Sequence, residues 1–139
     1  MNKLKNQVQK LLKTDYQWNQ NISDFSEVYK TESNNDFSIL KPLEDKIGIY
    51  FFLKNNNEIL YIGYTINQDL RIRIRQHLKE KDSGGRFRIN YMSKNNVTFE
   101  KFKELIINDI KILSISIKKE DIEISESDLI EYFKPKYNV

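Results

Sequence analysis

Two short runs of β-forming residues around an asparagine cluster limit what this chain can fold into more than any other feature. Gly48-Ile49-Tyr50-Phe51-Phe52-Leu53-Lys54 and Glu58-Ile59-Leu60-Tyr61-Ile62-Gly63 are rich in aromatic and β-branched residues, and Asn55-Asn56-Asn57 separates them. Asparagine tolerates the left-handed backbone of a tight turn, so the stretch reads as a β-hairpin. Most apolar strand pairs are core and nothing more. Here, however, the hairpin carries two ordered tripeptides, Gly-Ile-Tyr and Tyr-Ile-Gly, whose tyrosines are separated by ten residues.

The 139 residues suffice for one domain with a modest core. Cysteine is absent, which excludes disulfides and thiolate metal sites. No apolar run approaches the length of a membrane span, and the N-terminus lacks a signal-peptide core, so a cytoplasmic protein is expected, with no membrane partner. The net charge of +3 is uninformative, but between Arg71 and Arg88 seven basic residues stand against Glu80 and Asp82. A basic cluster in a near-neutral chain points to a polyanion on one face; a solvated helix surface is the plainer alternative.

Before the hairpin, Leu4, Val8, Leu11 and Leu12 form one helical stripe, followed by Trp18, Phe25 and Tyr29 at weaker spacing. Residues 1–45 are therefore expected to be a helical extension packed on a core domain of residues 46–139. After Gly63 a polar loop leads to a helix that Asn67 or Asp69 can cap. Leu70, Ile74 and Leu78 face the core there, while Arg73 and His77, the only histidine, share the neighbouring row. Arg71, Arg75 and Lys79 form a further row suited to phosphate or water. Residues 86–88 read as a basic loop, with Phe87 and Tyr91 available to stack on a base.

Phe99, Phe102, Ile106 and Ile110 predict a helix from about Thr98, and Leu113, Ile115 and Ile117 alternate with serines as a third strand with one wet face. A last helix carries Ile122, Leu129, Ile130 and Phe133 on one face. Glu126 stands in that apolar row, where a carboxylate requires a basic partner or a metal. Pro135 stops the helix.

These landmarks resemble the GIY-YIG nuclease superfamily. The match comprises the two tripeptides, Arg73 four residues before His77, Glu126 followed by Leu129-Ile130, and Lys134-Pro135 before Asn138. It spans Ile47 to Asn138. Tyr64 is one departure, because some relatives, including the excision-repair incision nuclease, carry Lys after this glycine.

The resemblance implies an α/β (α+β) fold, a small antiparallel sheet of about three strands flanked by helices. It implies a Mg2+-dependent DNA endonuclease hydrolysing phosphodiester bonds, with Mn2+ as a substitute. Glu126 would be the metal ligand, Arg73 would hold the scissile phosphate, and Tyr50 would be the base or orient the water. A tyrosine pKa near ~10 makes that role depend on Arg73, His77 or the metal. Tyr61 and His77 would orient or relay protons, and Asn138 would hold the phosphate region. The basic residues Arg71, Arg75, Lys79, Arg86 and Arg88 are expected on DNA phosphates. A restriction-like enzyme is preferred, which would go with a homodimer on DNA through the N-terminal aromatics. Structure-specific repair or mobile-element nucleases, and a catalytically inactive nucleic-acid-binding module, are the alternatives.

Overall fold

Strands β1 (Gly48–Lys54) and β2 (Ile59–Thr65) form the expected hairpin. Asn57 takes the left-handed conformation, with φ 73°, and its N–H donates to the Lys54 carbonyl at 2.8 Å. The structure, a computed structural model, describes residue 6, residues 38–116 and residues 118–138. Leu4, Val8, Leu11, Leu12, Trp18, Phe25 and Tyr29, and with them most of the expected N-terminal extension, lie outside the described residues.

A 3-10 turn, Ser38–Leu43, precedes the hairpin. After it come helices α1 (Leu70–Leu78), α2 (Arg86–Asn95) and α3 (Phe99–Asp109), strand β3 (Ile110–Ser116) and helix α4 (Lys119–Phe133). The sheet order is β2-β1-β3, antiparallel throughout. Tyr50 faces Gly63 on one side and Ser114 on the other. A bulge at Leu60, between the Phe52–Tyr61 and Leu53–Ile59 pairs, places Leu60 and Tyr61 in the same cluster.

The central strand is buried on both faces, and the face of β3 expected to be wet carries the buried Ile110 and Ile112 beside a half-buried Ser114, while Ile117 lies outside the described residues. Tyr50, Phe52, Tyr61 and Ile112 pack under α1, α2 and α3 through Leu70, Ile74, Phe87 and Phe102. Ile49, Phe51, Ile62, Leu113 and Ile115 pack against Ile122 and Leu129 of α4. The alternation in β3 thus divides its side chains between two cores, with Ser114 beside Tyr50 on the first. At roughly 1.5–3 kcal/mol for each large apolar side chain removed from water, the two faces of β1 contribute more than any helix propensity can.

Helix ends follow local chemistry. Asp69 caps α1, accepting the Ile72 N–H at 2.8 Å, and its second oxygen accepts the Asp45 N–H at 2.9 Å. Thr98 caps α3, as its hydroxyl accepts the Lys101 N–H. Lys134, left-handed at φ 49°, ends α4 just before Pro135. Residues 86–88 are not a loop. They open α2, and Phe87 is a buried core ring stacked on Phe52 at 4.6 Å between centroids, so it offers no face to a base.

Candidate active site

The first core face gathers four of the predicted site residues. Tyr50 from β1, Tyr61 from β2, and Arg73 and His77 from α1 lie together because strand period and helix period both point them at one place. The Tyr50 and Tyr61 rings are 6.4 Å apart, and His77 lies 5.4 Å from the first and 5.1 Å from the second.

Tyr50 Oη and His77 Nε2 are 2.7 Å apart. The other ring nitrogen, Nδ1, accepts the Phe87 N–H at 3.1 Å. An amide N–H can only donate, so Nδ1 carries the lone pair and the proton of the neutral ring sits on Nε2. His77 therefore donates to Tyr50. The same contact gives α2 a partner for one of its unpaired N-terminal amides, where Gly85 has no side chain to cap with. Burial holds the His77 pKa well below its ordinary value, and the Arg73 and Arg88 charges push it the same way. The ring is neutral.

Burial likewise pushes the Tyr50 phenol far up, with Tyr61 adding to the rise. The Arg73 guanidinium opposes it by its charge and by a hydrogen bond. Tyr61 is raised by burial and pulled back by Arg73 and, more weakly, by Arg86.

Gly63 is explained by Tyr50. A β-carbon there would stand 2.3 Å from the phenol oxygen and from Cζ, so only glycine leaves room for the ring opposite. Gly63 also lines an open cleft of about 660 Å3. Tyr61, Arg73 and residues 64–68 form one side of this cleft, and Lys119, Glu123 and Glu126 of α4 the other. Tyr50 is fully buried and lies behind the floor, with its hydroxyl against Gly63.

Glu126 faces this cleft half-buried, as its apolar row required. Burial and the nearby Glu123 raise its pKa to about 7, while Arg73 lowers it. No group of three or more metal-ligating side chains occurs among the described residues. A hard divalent cation fits nonetheless. It takes oxygen ligands and retains waters, so one carboxylate in an open polar cleft suffices, and a carboxylate held partly protonated by burial gains from a cation beside it.

Two residues expected on DNA are engaged within the protein. Both ends of the Asn138 amide are engaged by one residue of β2: Oδ1 accepts the Ile62 N–H at 2.8 Å and Nδ2 donates to the Ile62 carbonyl at 2.7 Å. The Tyr137 N–H donates to the Leu60 carbonyl, so the C-terminal segment seals the free edge of β2 in place of a fourth strand. Asn138 fastens the Tyr-Ile-Gly strand. Arg88, expected on DNA, is buried, and its guanidinium donates to the carbonyls of Gln76 (2.9 Å), Lys79 and Asp82. Arg71 is bridged to Glu44 at 3.1 Å. Arg75 on α1 and Lys79 at its C-cap are half-buried, and Arg86 is exposed. The Phe87 N–H and the cleft residues Lys119 and Glu123 escaped the sequence reading. Only Glu123 carried a signal, its place one turn before Glu126.

Residues 46–138, about two-thirds of the chain, match the family of the GIY-YIG catalytic domain. The chain belongs to the GIY-YIG family. It is accordingly a nuclease, a phosphodiester hydrolase. UvrABC system protein C of Fervidobacterium nodosum is 31% identical over 103 residues, covering 74% of this chain and 15% of the relative. The protein of the same name from Clostridium botulinum is 34% identical over 100 residues, covering 72% and 14%. The chain thus spans about one-seventh of the length of the curated relatives it matches.

Proposed function

We propose that this GIY-YIG domain is a divalent-metal-dependent DNA endonuclease that incises one strand per encounter. The observation that carries the reading is the convergence of Tyr61 and Arg73 with Glu126 on one cleft, with Tyr50 and His77 directly behind its floor.

Arg73 would fork onto the scissile phosphate and neutralise its charge, which a guanidinium does without changing protonation. Glu126 would hold Mg2+, or Mn2+ in its place, with water completing the shell. Such an ion, when bound, stabilises charge on the phosphate and makes a water more acidic. Tyr50 is the base we favour, acting as a phenolate that has given its proton to solvent before the attack and then takes one from the attacking water, with His77 Nε2–H and Arg73 stabilising the anion. Burial keeps it neutral at rest, and bringing the phosphate to Arg73 must leave enough positive field to reverse that. His77 is unsuited to removing the Tyr50 proton, because its lone pair is already occupied by the Phe87 amide. Tyr61 would orient the attacked group at the cleft wall. Hydrolysis adds water across one P–O bond, giving a phosphomonoester and a hydroxyl.

Arg75, Lys79 and Arg86 are the basic residues we assign to flanking phosphates. The N-terminal segment before residue 46 is assigned as an extension of the domain, and the protein as cytoplasmic; no described helix is long and apolar enough to cross a membrane. The relatives are components of a UvrABC system, which favours a repair-type role. The restriction-like reading is weakened, because residues 86–88, expected as a basic loop, are helix with Arg88 buried.

Supercoiled plasmid incubated with Mg2+, with and without EDTA, tests the reading. Nicked circles that accumulate before any linear product, and vanish with EDTA, support it. Equal cleavage in EDTA, or linear product from the outset on a dimer, contradicts it.

A further inference from the structure

Arg73 does not approach the cleft unaided. Its Nη1 donates to Gln76 Oε1 at 2.8 Å, one helical turn further along α1. Gln76 is itself fixed from the other end, because its main-chain carbonyl accepts the buried Arg88 guanidinium at 2.9 Å. The loop that follows α1 passes directly over this pair. A β-carbon on Gly84 would lie 2.6 Å from Gln76 Oε1 and 3.0 Å from Arg73 Nη1. The loop is held against the pair by its own bonds: the Gly84 N–H donates to Asp82 Oδ1 at 2.8 Å, and Arg88 grips the Lys79 and Asp82 carbonyls.

We propose that Gln76 and Gly84 are positioning residues for Arg73: the Gln76 carboxamide orients the guanidinium, and bare Gly84 is the wall that keeps both side chains in place. The proposal rests on the reading of Arg73 as the phosphate-binding group. The physical reason for such a device is specific. An arginine side chain has four rotatable bonds, and a bidentate contact aligned to a transition state is lost when the fork swings. A displacement of about 1 Å in such a group lowers turnover by about 100-fold.

The two adjacent glycines provide the control. At Gly84 the added methyl would meet only the far ends of two flexible side chains, so Gly84→Ala shifts Gln76 and Arg73 without stressing the backbone. At Gly85 it would stand 2.5 Å from the Gln76 main-chain oxygen, so Gly85→Ala must disturb the fold.

The test measures melting temperature, kcat and KM on duplex DNA in Mg2+, and the Arg73 side-chain Nη NMR signals, for wild type, Gln76→Met, Gly84→Ala, Gly85→Ala and Arg73→Ala. Gln76→Met and Gly84→Ala are expected to melt like wild type and to keep KM, while kcat falls by about 100-fold. Hindered guanidinium rotation is expected in wild type and fast rotation in Gln76→Met. Gly85→Ala melts lower. Wild-type kcat and unchanged Arg73 signals in both positioning variants, with Arg73→Ala inactive, would overturn the inference and leave the function standing. An Arg73→Ala protein that cleaves at the wild-type rate would overturn both.

Discussion

His77 donates a hydrogen bond to Tyr50 rather than receiving one, because the Phe87 amide occupies Nδ1 and the proton must sit on Nε2, 2.7 Å from the phenol oxygen. The histidine is buried and neutral, so its ionisation is coupled to folding. An unfolded histidine binds its proton near pH ~6.5. Its folded pKa is depressed by burial and by Arg73 and Arg88, so below that pH the unfolded chain takes up a proton that the folded one refuses. The stability this gives is whole above the unfolded pKa and is lost as pH falls toward the folded one. Thermal melts of wild type should decline as the pH falls below about 6.5. Glu126, raised to about 7, runs the opposite way, so the comparison that isolates the histidine is with His77→Gln, in which the decline should be absent. Parallel curves would place a charged histidine in the folded protein.

The glycine of Tyr-Ile-Gly is predicted to be a steric requirement of Tyr50. Gly63→Ala puts a methyl 2.3 Å from a fully buried aromatic ring that cannot retreat without disturbing Phe52 and His77. Overpacking of this kind costs about 1–3 kcal/mol. The urea midpoint should fall and cleavage should be lost with it. A midpoint equal to wild type would show that the ring has room to move.

Arg86 and Arg88, two residues apart, should behave as opposites. Arg86 is exposed, so Arg86→Ala should change stability by about 0.5 kcal/mol or less. It should flatten the log–log dependence of DNA affinity on salt by about one unit, from a slope of roughly −0.9 for each phosphate neutralised. Arg88→Ala removes a buried guanidinium from three carbonyls and should cost on the order of 3 kcal/mol. If Arg86→Ala leaves the slope unchanged, that residue is solvated surface.

What was legible in the sequence was whatever a period or a local rule encodes. The hairpin, the Asp69 cap among its two candidates, the helix from Thr98, and the Arg73–His77 row all follow from spacing and turn chemistry. Glu126 was legible as an anomaly, a carboxylate in an apolar row. What was not legible depends on packing between distant segments. Nothing local distinguishes Arg88 from Arg86; only the turn of α2 buries one and exposes the other. Asn138 was legible as a landmark of the family pattern, but not its bonds to Ile62, on an open strand edge, which take both ends of its amide. Ser114 of β3 reads as wet because the sequence does not show that helices cover both faces of the sheet.

Cleavage and DNA binding by Glu126→Gln, measured together in Mg2+, test the central claim most directly. The amide keeps the size of the side chain and its place in the apolar row of α4 but cannot serve as an anionic ligand. Binding of duplex DNA should remain within about threefold of wild type, because the basic face is untouched. The rate of strand scission should fall by about 1,000-fold or more. Scission at the wild-type rate by a protein that binds and melts normally would contradict the account, since the cleft would then cut DNA without the carboxylate on which its metal site depends.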